Sequence, residues 1–282
     1  MFTRAHWRGL LDRGRNVSFR DEEFSAAKGA SIWELFPLLA LLDPKAGFVF
    51  FDDFLQMAMD DTTHNPLAWT YQSDTAAGAV TLPNAATVGP GGVARLATGG
   101  VDENETYIQA GHLNTFEPFV ITDASKKIVA FECRVRVNQH AADSIACFIG
   151  LAEAGCAAAD FLTNATGVIA DKDFIGFNVL SATPTAWNAT WKKAGQVVQA
   201  IVGGAVNADD WHIFSFIFTG LSTVQFCFDG VLHATVATTT AATFPSGEEM
   251  SPIIAIKETV AGAKTIDVDW IKVAQSALAG AR

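Results

Sequence analysis

Catalytic chemistry needs reactive side chains at workable spacings, and this chain offers few. Its six histidines, His6, His64, His112, His140, His212 and His233, never fall at H-x-H or H-x-x-x-H spacing, so no zinc or iron centre is expected. No G-x-S-x-G elbow and no Walker-type loop occurs; the glycines of G-P-G-G at 89–92 precede no Lys-Ser/Thr pair. Glu103 and Glu105 are two apart but in the turn-like run D-E-N-E-T, and adjacent Glu248 and Glu249 would face opposite sides of a strand. Trp187 and Trp191 are four apart, hence on one face of a strand. They form either a sugar-stacking platform or part of a core, and the usual burial of Trp favours the core.

Strands must position these groups. Lys127–Val137 alternates: Val129, Phe131, Cys133, Val135 and Val137 point one way, while Ile128, Ala130, Glu132, Arg134 and Arg136 point the other. That pattern predicts a half-buried antiparallel strand with the first set in the core. Asp229-Gly230 supplies the positive φ angles of a two-residue hairpin between 223–228 and 231–236. About fourteen such strands, separated by Gly, Pro and Asn turns, predict an all-β antiparallel sandwich over residues 47–282. Trp69, Trp211 and Trp270 read as core. Cys133, Cys147 and Cys227 sit in apolar strand patterns without C-x-x-C spacing and read as buried free thiols.

Residues 1–46 differ. The first twenty hold Arg4, Arg8, Arg13, Arg15 and Arg20 against Asp12, a charge of +4 within a net −11, leaving −15 for the rest. An acidic body argues against nucleic acid, whose phosphates need a positive surface. A basic leader on an acidic body predicts a docking arm for an acidic neighbour. Ser31 and Glu34 have capping-box spacing, which predicts a short helix limited by Pro37. Its apolar residues, Trp33 and Phe36 among them, must pack on the sandwich or on a partner. The longest apolar run, Ile32 to Leu42, is too short to span a bilayer.

The runs W-H-x-F-x-F from Trp211, V-Q-F-C-F-D-G-V-L from Val224 and I-D-V-D-W-I-K-V-A-Q from Ile266 resemble concanavalin A-like jelly rolls, of laminarinase and laminin-G type. F-D-D-F from Phe51 is similar to their opening strand. The resemblance implies a concanavalin A-like jelly roll and, near its first and last strands, a calcium site to which Asp53 and Asp269 are the candidate ligands, with no other cofactor expected. Glycosidases of this fold carry two carboxylates on one strand, E-x-D-x-x-E, about 5 Å apart. The spacing is absent, so the chain is expected not to be an enzyme.

Basic arm, short apolar helix and lightly charged sandwich together resemble virion structural proteins of tailed bacteriophages. That resemblance implies a capsid decoration or cement protein, or a tail-associated one, localised to the virion after assembly in the host cytoplasm. Its partners would be other virion proteins such as the major capsid protein, reached through Arg4, Trp7, Arg8, Arg13, Arg15, Trp33 and Phe36. A homo-oligomer, trimer or dimer, is expected, with neither nucleic acid nor membrane as partner. The alternative is a lectin-like module that binds glycans through Trp187 and Trp191; a glycosidase using Glu103 or Glu105 ranks last.

Overall fold

The structure is a computed structural model. It describes residues 32–34, 36, 41, 43, 45–56, 59–60, 69–73, 78–83, 92–111, 117–122, 127–138, 145–153, 160–163, 168–183, 185–205, 210–220, 222–237 and 242–279. Among these, a three-residue 3-10 helix, Ile32–Glu34, precedes nineteen strands. The first seven are β1 (Gly47–Asp52), β2 (Met59–Asp60), β3 (Trp69–Ser73), β4 (Ala79–Thr81), β5 (Ala94–Ala97), β6 (Glu105–Ala110) and β7 (Phe119–Val120). Next come β8 (Lys127–Asn138), β9 (Ile145–Ala152), β10 (Leu162–Thr163), β11 (Val168–Ile169), β12 (Phe174–Val179) and β13 (Ala186–Lys192). The series ends with β14 (Gln199–Ala205), β15 (Trp211–Phe218), β16 (Thr223–Phe228), β17 (Val231–Ala237), β18 (Glu249–Glu258) and β19 (Thr265–Ala279).

Two sheets face each other. One has eight strands in the order β17-β16-β15-β8-β19-β5-β4, with β1 also pairing β19; the other has nine, β14-β13-β12-β9-β18-β6-β3-β2, with β7 on β18. Each ladder is antiparallel except β2–β3. The expected sandwich is what forms. Its first strand and its last are neighbours, so the C-terminal strand closes onto the start of the sheet region.

The alternation of β8 does what its sequence dictates. Val129, Phe131, Cys133, Val135 and Val137 enter the inter-sheet core, where Phe131 stacks on Phe216 of β15 at 5.1 Å. The Asp229-Gly230 turn has φ of 48° and 76°, both left-handed, and joins Phe228 directly to Val231. Cys133, Cys147 and Cys227 are buried free thiols. Trp69 is core, but Trp211 and Trp270 are half-buried. Trp211 lies with the Arg134 and Arg136 guanidiniums 4.8 and 4.9 Å from its ring.

On the outer face of the eight-stranded sheet the expected polar side of β8 is only partly polar. Ile128 and Ala130 are buried there with Ile217, Cys227 and Ala274 beneath Ile32, Phe36 and Ala46, and Trp33 and Leu41 pack against this cluster. Ile32, Trp33, Phe36, Leu41 and Ala46 therefore form a strap over the chain's own sheet. Trp33 is latched twice: its Nε1–H donates to Glu132 Oε1 at 2.7 Å, and Lys272 Nζ lies 3.8 Å from its ring centroid. Burial lifts the Glu132 carboxyl above its usual range, although the Trp33 hydrogen bond and the charge of Lys272 oppose it.

Candidate functional site

At one end of the nine-stranded sheet, register brings charged strand-end residues together. Phe174 of β12 pairs with Ala152 of β9, so the next residues outward, Asp173 and Glu153, meet beyond the last rung. The Glu153 amide donates to the Asp173 carbonyl at 2.9 Å, and the Asp173 amide donates to Glu153 Oε2 at 3.2 Å. Lys172 Nζ is 2.8 Å from the other Glu153 oxygen. From the turn after β13, the Ala194 amide donates to Asp173 Oδ1 at 3.1 Å. Lys193 pairs with Glu248 at 2.9 Å, and Lys192 with Asp171 at 2.8 Å.

These groups do not share one protonation state. Burial lifts the Asp173 carboxyl to about 6; the Ala194 N–H opposes this, while the hydrogen bond to Glu153 and the charges of Glu248 and Glu153 add to it. Burial also acts on Glu153, but Lys172 and the Asp173 donors outweigh it and hold Glu153 below the ordinary carboxylate value. Below about pH 6 Asp173 holds a proton while Glu153 stays ionised, so the environments of the two carboxyls pull their proton affinities apart. Asp173 is 5% exposed, whereas the side chains of Glu153, Lys172, Lys193 and Glu248 are 27–40% exposed. The rim thus presents fixed donors and acceptors to solvent, backed by a sheltered carboxyl.

The outer face of the nine-stranded sheet is covered. Phe161, Leu162 and Ile169, around the β10–β11 hairpin, pack on Phe148, Phe174 and Ile253. Phe148 lies over the cross-strand pair Gly150–Gly176: a Cβ on either glycine would come within about 3 Å of its ring tip and closer still to the partner backbone. Glu105 and Lys257, cross-strand partners on β6 and β18, are buried; Glu105 accepts the Leu162 amide at 3.0 Å and Lys257 reaches Asp160 at 3.5 Å. Glu103 is separate, in a turn with φ 67°.

Other residues singled out from sequence fall as follows. Trp187 and Trp191 do share a face of β13, but it is the inner one: they are 1% and 6% exposed, and Trp187 stacks on Phe228 at 4.6 Å. As a glycan platform they are corrected to core. Trp33 and Phe36 are corrected from partner contacts to packing on the chain's own sheet, because that sheet's outer face is apolar at Ile128, Ala130 and Ile217. Arg4, Trp7, Arg8, Arg13 and Arg15 lie outside the described residues. Asp269 pairs with Arg134, and Asp53 Oδ1 accepts the Leu55 amide at 3.4 Å. Among the described residues no three His, Cys, Asp or Glu side chains converge as a metal-binding group.

The rim was not singled out from sequence. D-K-D before Phe174, K-K after Trp191 and E-E before Met250 do place charges at strand ends. Only the strand register joins them.

No protein-family model matches the sequence, and no curated protein does. Solved structures do match. A Bacteroides ovatus mixed-linkage glucan glycoside hydrolase of family 16, in complex with a product, has a TM-score of 0.53 at 11% identity, covering 79% of this chain and 99% of its own. The fold is that of a concanavalin A-like jelly roll. A second Bacteroides ovatus structure, a family 16 endo-glucanase, has a TM-score of 0.52 at 11% identity with the same coverage. A Shewanella oneidensis MR-1 protein of unknown function has a TM-score of 0.53 at 13% identity, covering 84% and 89%. These likenesses correct the expectation that the jelly roll is not an enzyme: glycoside hydrolases are built on this fold, so the missing E-x-D-x-x-E does not exclude catalysis.

Proposed function

We propose that this jelly roll recognises carbohydrate through its charged rim, with Asp173 as the buried carboxyl behind it and Glu153, Lys172, Lys193 and Glu248 as the groups that face solvent. The observation that carries this reading is the cluster at one sheet end, where buried Asp173 backs the half-exposed side chains of Glu153, Lys172, Lys193 and Glu248. Sugar hydroxyls donate and accept, and a rim of fixed carboxylates and ammoniums answers both roles. The solved glucan hydrolases of the same fold make mixed-linkage glucans the first ligands to try. Asp173 and Glu153 are in hydrogen-bond contact, closer than the roughly 5 Å across which paired carboxyls attack a sugar. Recognition is therefore the primary reading. A glycan array, followed by a reducing-sugar assay on any glycan that scores, tests it. Binding lost in Asp173→Ala and Lys193→Ala supports the reading; no hit on any array glycan overturns it.

A second reading concerns location. The +4 of residues 1–20 against −15 for the rest supports attachment to an acidic neighbour, and we propose a tailed-phage virion as the setting, with residues 1–31 as the anchor and capsid or tail proteins as partners. Removing residues 1–31 should abolish particle association; a truncated protein that still decorates particles contradicts it.

A further inference from the structure

We propose, on the basis of carbohydrate recognition at the rim, that the sugar preferred there carries an ammonium group, as a glucosamine unit does, seated before Glu153 and Glu248 with the Asp173 carboxylate behind it. The charges of the rim do not balance. Lys172 pairs with Glu153, Lys192 with Asp171 and Lys193 with Glu248, at 2.8, 2.8 and 2.9 Å. Asp173 is a fourth carboxyl beside three lysines, each already matched to a carboxylate of its own.

Asp173 is also the most sheltered carboxyl of the set, buried where the side chains of Glu153, Glu248 and Asp171 are 27%, 39% and 66% exposed. Its own contacts are the Ala194 amide and the Glu153 carboxyl. One amide does not neutralise an ionised carboxylate, and Glu153 at the end of β9 and Glu248 before β18 place more negative charge beside it. Burial, together with these charges, keeps the Asp173 proton up to about pH 6. Above that the rim holds one negative charge more than its lysines offset, directly behind the solvent-facing Glu153 and Glu248.

The class of sugar follows from that deficit. An ammonium brings the missing positive charge, and its three N–H donors suit carboxylate oxygens, which accept more than one hydrogen bond each. A neutral hydroxyl offers a single donor and leaves the charge uncompensated. The frame around this position is already fixed by the backbone: the Gly195 amide donates to Asp171 Oδ1 at 2.7 Å, and the Lys193 amide to the Thr243 carbonyl at 2.7 Å.

Titration calorimetry on the full-length chain tests this, with a glucosamine tetrasaccharide and the glucose tetrasaccharide of identical linkage, which differ only in an ammonium for a hydroxyl on each ring. Just above pH 6 the wild type should bind the aminated sugar about ten-fold more tightly, the difference between a charged and a neutral hydrogen-bond partner. That ratio should shrink as pH falls through about 6 and Asp173 takes up its proton, and should stay near one throughout in Asp173→Asn. Glu248→Gln, on the solvent side, should lower the ratio too and serves if Asp173→Asn does not fold. Equal affinity for the two sugars in the wild type, or a ratio that persists in the folded variants, overturns the inference and leaves recognition at the rim standing. Binding of another array glycan but of neither tetrasaccharide does the same, whereas no hit on any array glycan removes both.

Discussion

Glu153 and Asp173 close the same end of the nine-stranded sheet, each amide bonded to the other residue, yet they respond to acid in opposite directions. Between its ordinary value of 3.8 and about 6, the folded chain keeps the Asp173 proton that the unfolded chain has released. Its stabilising contribution is thus complete below 3.8 and is lost as pH rises through about 6. Glu153 contributes stability above its ordinary 4.5, lost as pH falls through its lowered folded value. Urea midpoints measured across this range should flatten near pH 6 in Asp173→Asn and in acid in Glu153→Gln. An unchanged profile in both would mean that the pair does not share its proton as described.

Truncation should separate leader from strap. Removing residues 1–31 leaves Trp33 and Phe36 in place and should preserve the melting temperature. Removing residues 1–46 uncovers Ile128, Ala130 and Ile217 and should lower it clearly. Trp33→Ala, which loses half-buried packing, the Glu132 hydrogen bond and the Lys272 contact, should cost about 1–3 kcal/mol by urea titration.

Much of the fold could be read along the chain because its signals are local. Alternation in β8 named its core face, and Asp229-Gly230 named its hairpin. The strands that escaped, β2, β4, β7, β10 and β11, have only two or three residues, too few to show a period. The Trp187–Trp191 spacing identified a shared face but not which one, since the outer face of β13 is buried as well: Asn188, Thr190 and Lys192 are 4%, 0% and 7% exposed. The rim depends on register between strands far apart in sequence, and the strap on an outer-face apolar patch drawn from β8, β15, β16 and β19. Neither leaves a local pattern.

Asp267 should be the costliest outer-face residue to remove. Its buried carboxylate bridges Arg95 and Arg136, each at 2.6 Å, so Asp267→Ala strands two guanidiniums. A loss of about 3–5 kcal/mol in urea unfolding is expected, and a loss under about 1 kcal/mol would mean that the bridge is cosmetic.

Thiol labelling reports on the core. Burial pushes Cys147 and Cys227 up to about 12 and Cys133 well above the ordinary thiol value. Native protein at pH 8 should therefore leave all three unlabelled by iodoacetamide, read by peptide mass, and label them only on unfolding.

The most direct test of carbohydrate recognition at the rim is amide hydrogen exchange with and without a bound mixed-linkage glucan oligosaccharide. New protection is expected at Glu153, at residues 171–173 and at the turn 193–196, with none over β1. Protection confined to another surface, or no change with any oligosaccharide at saturating concentration, would contradict it.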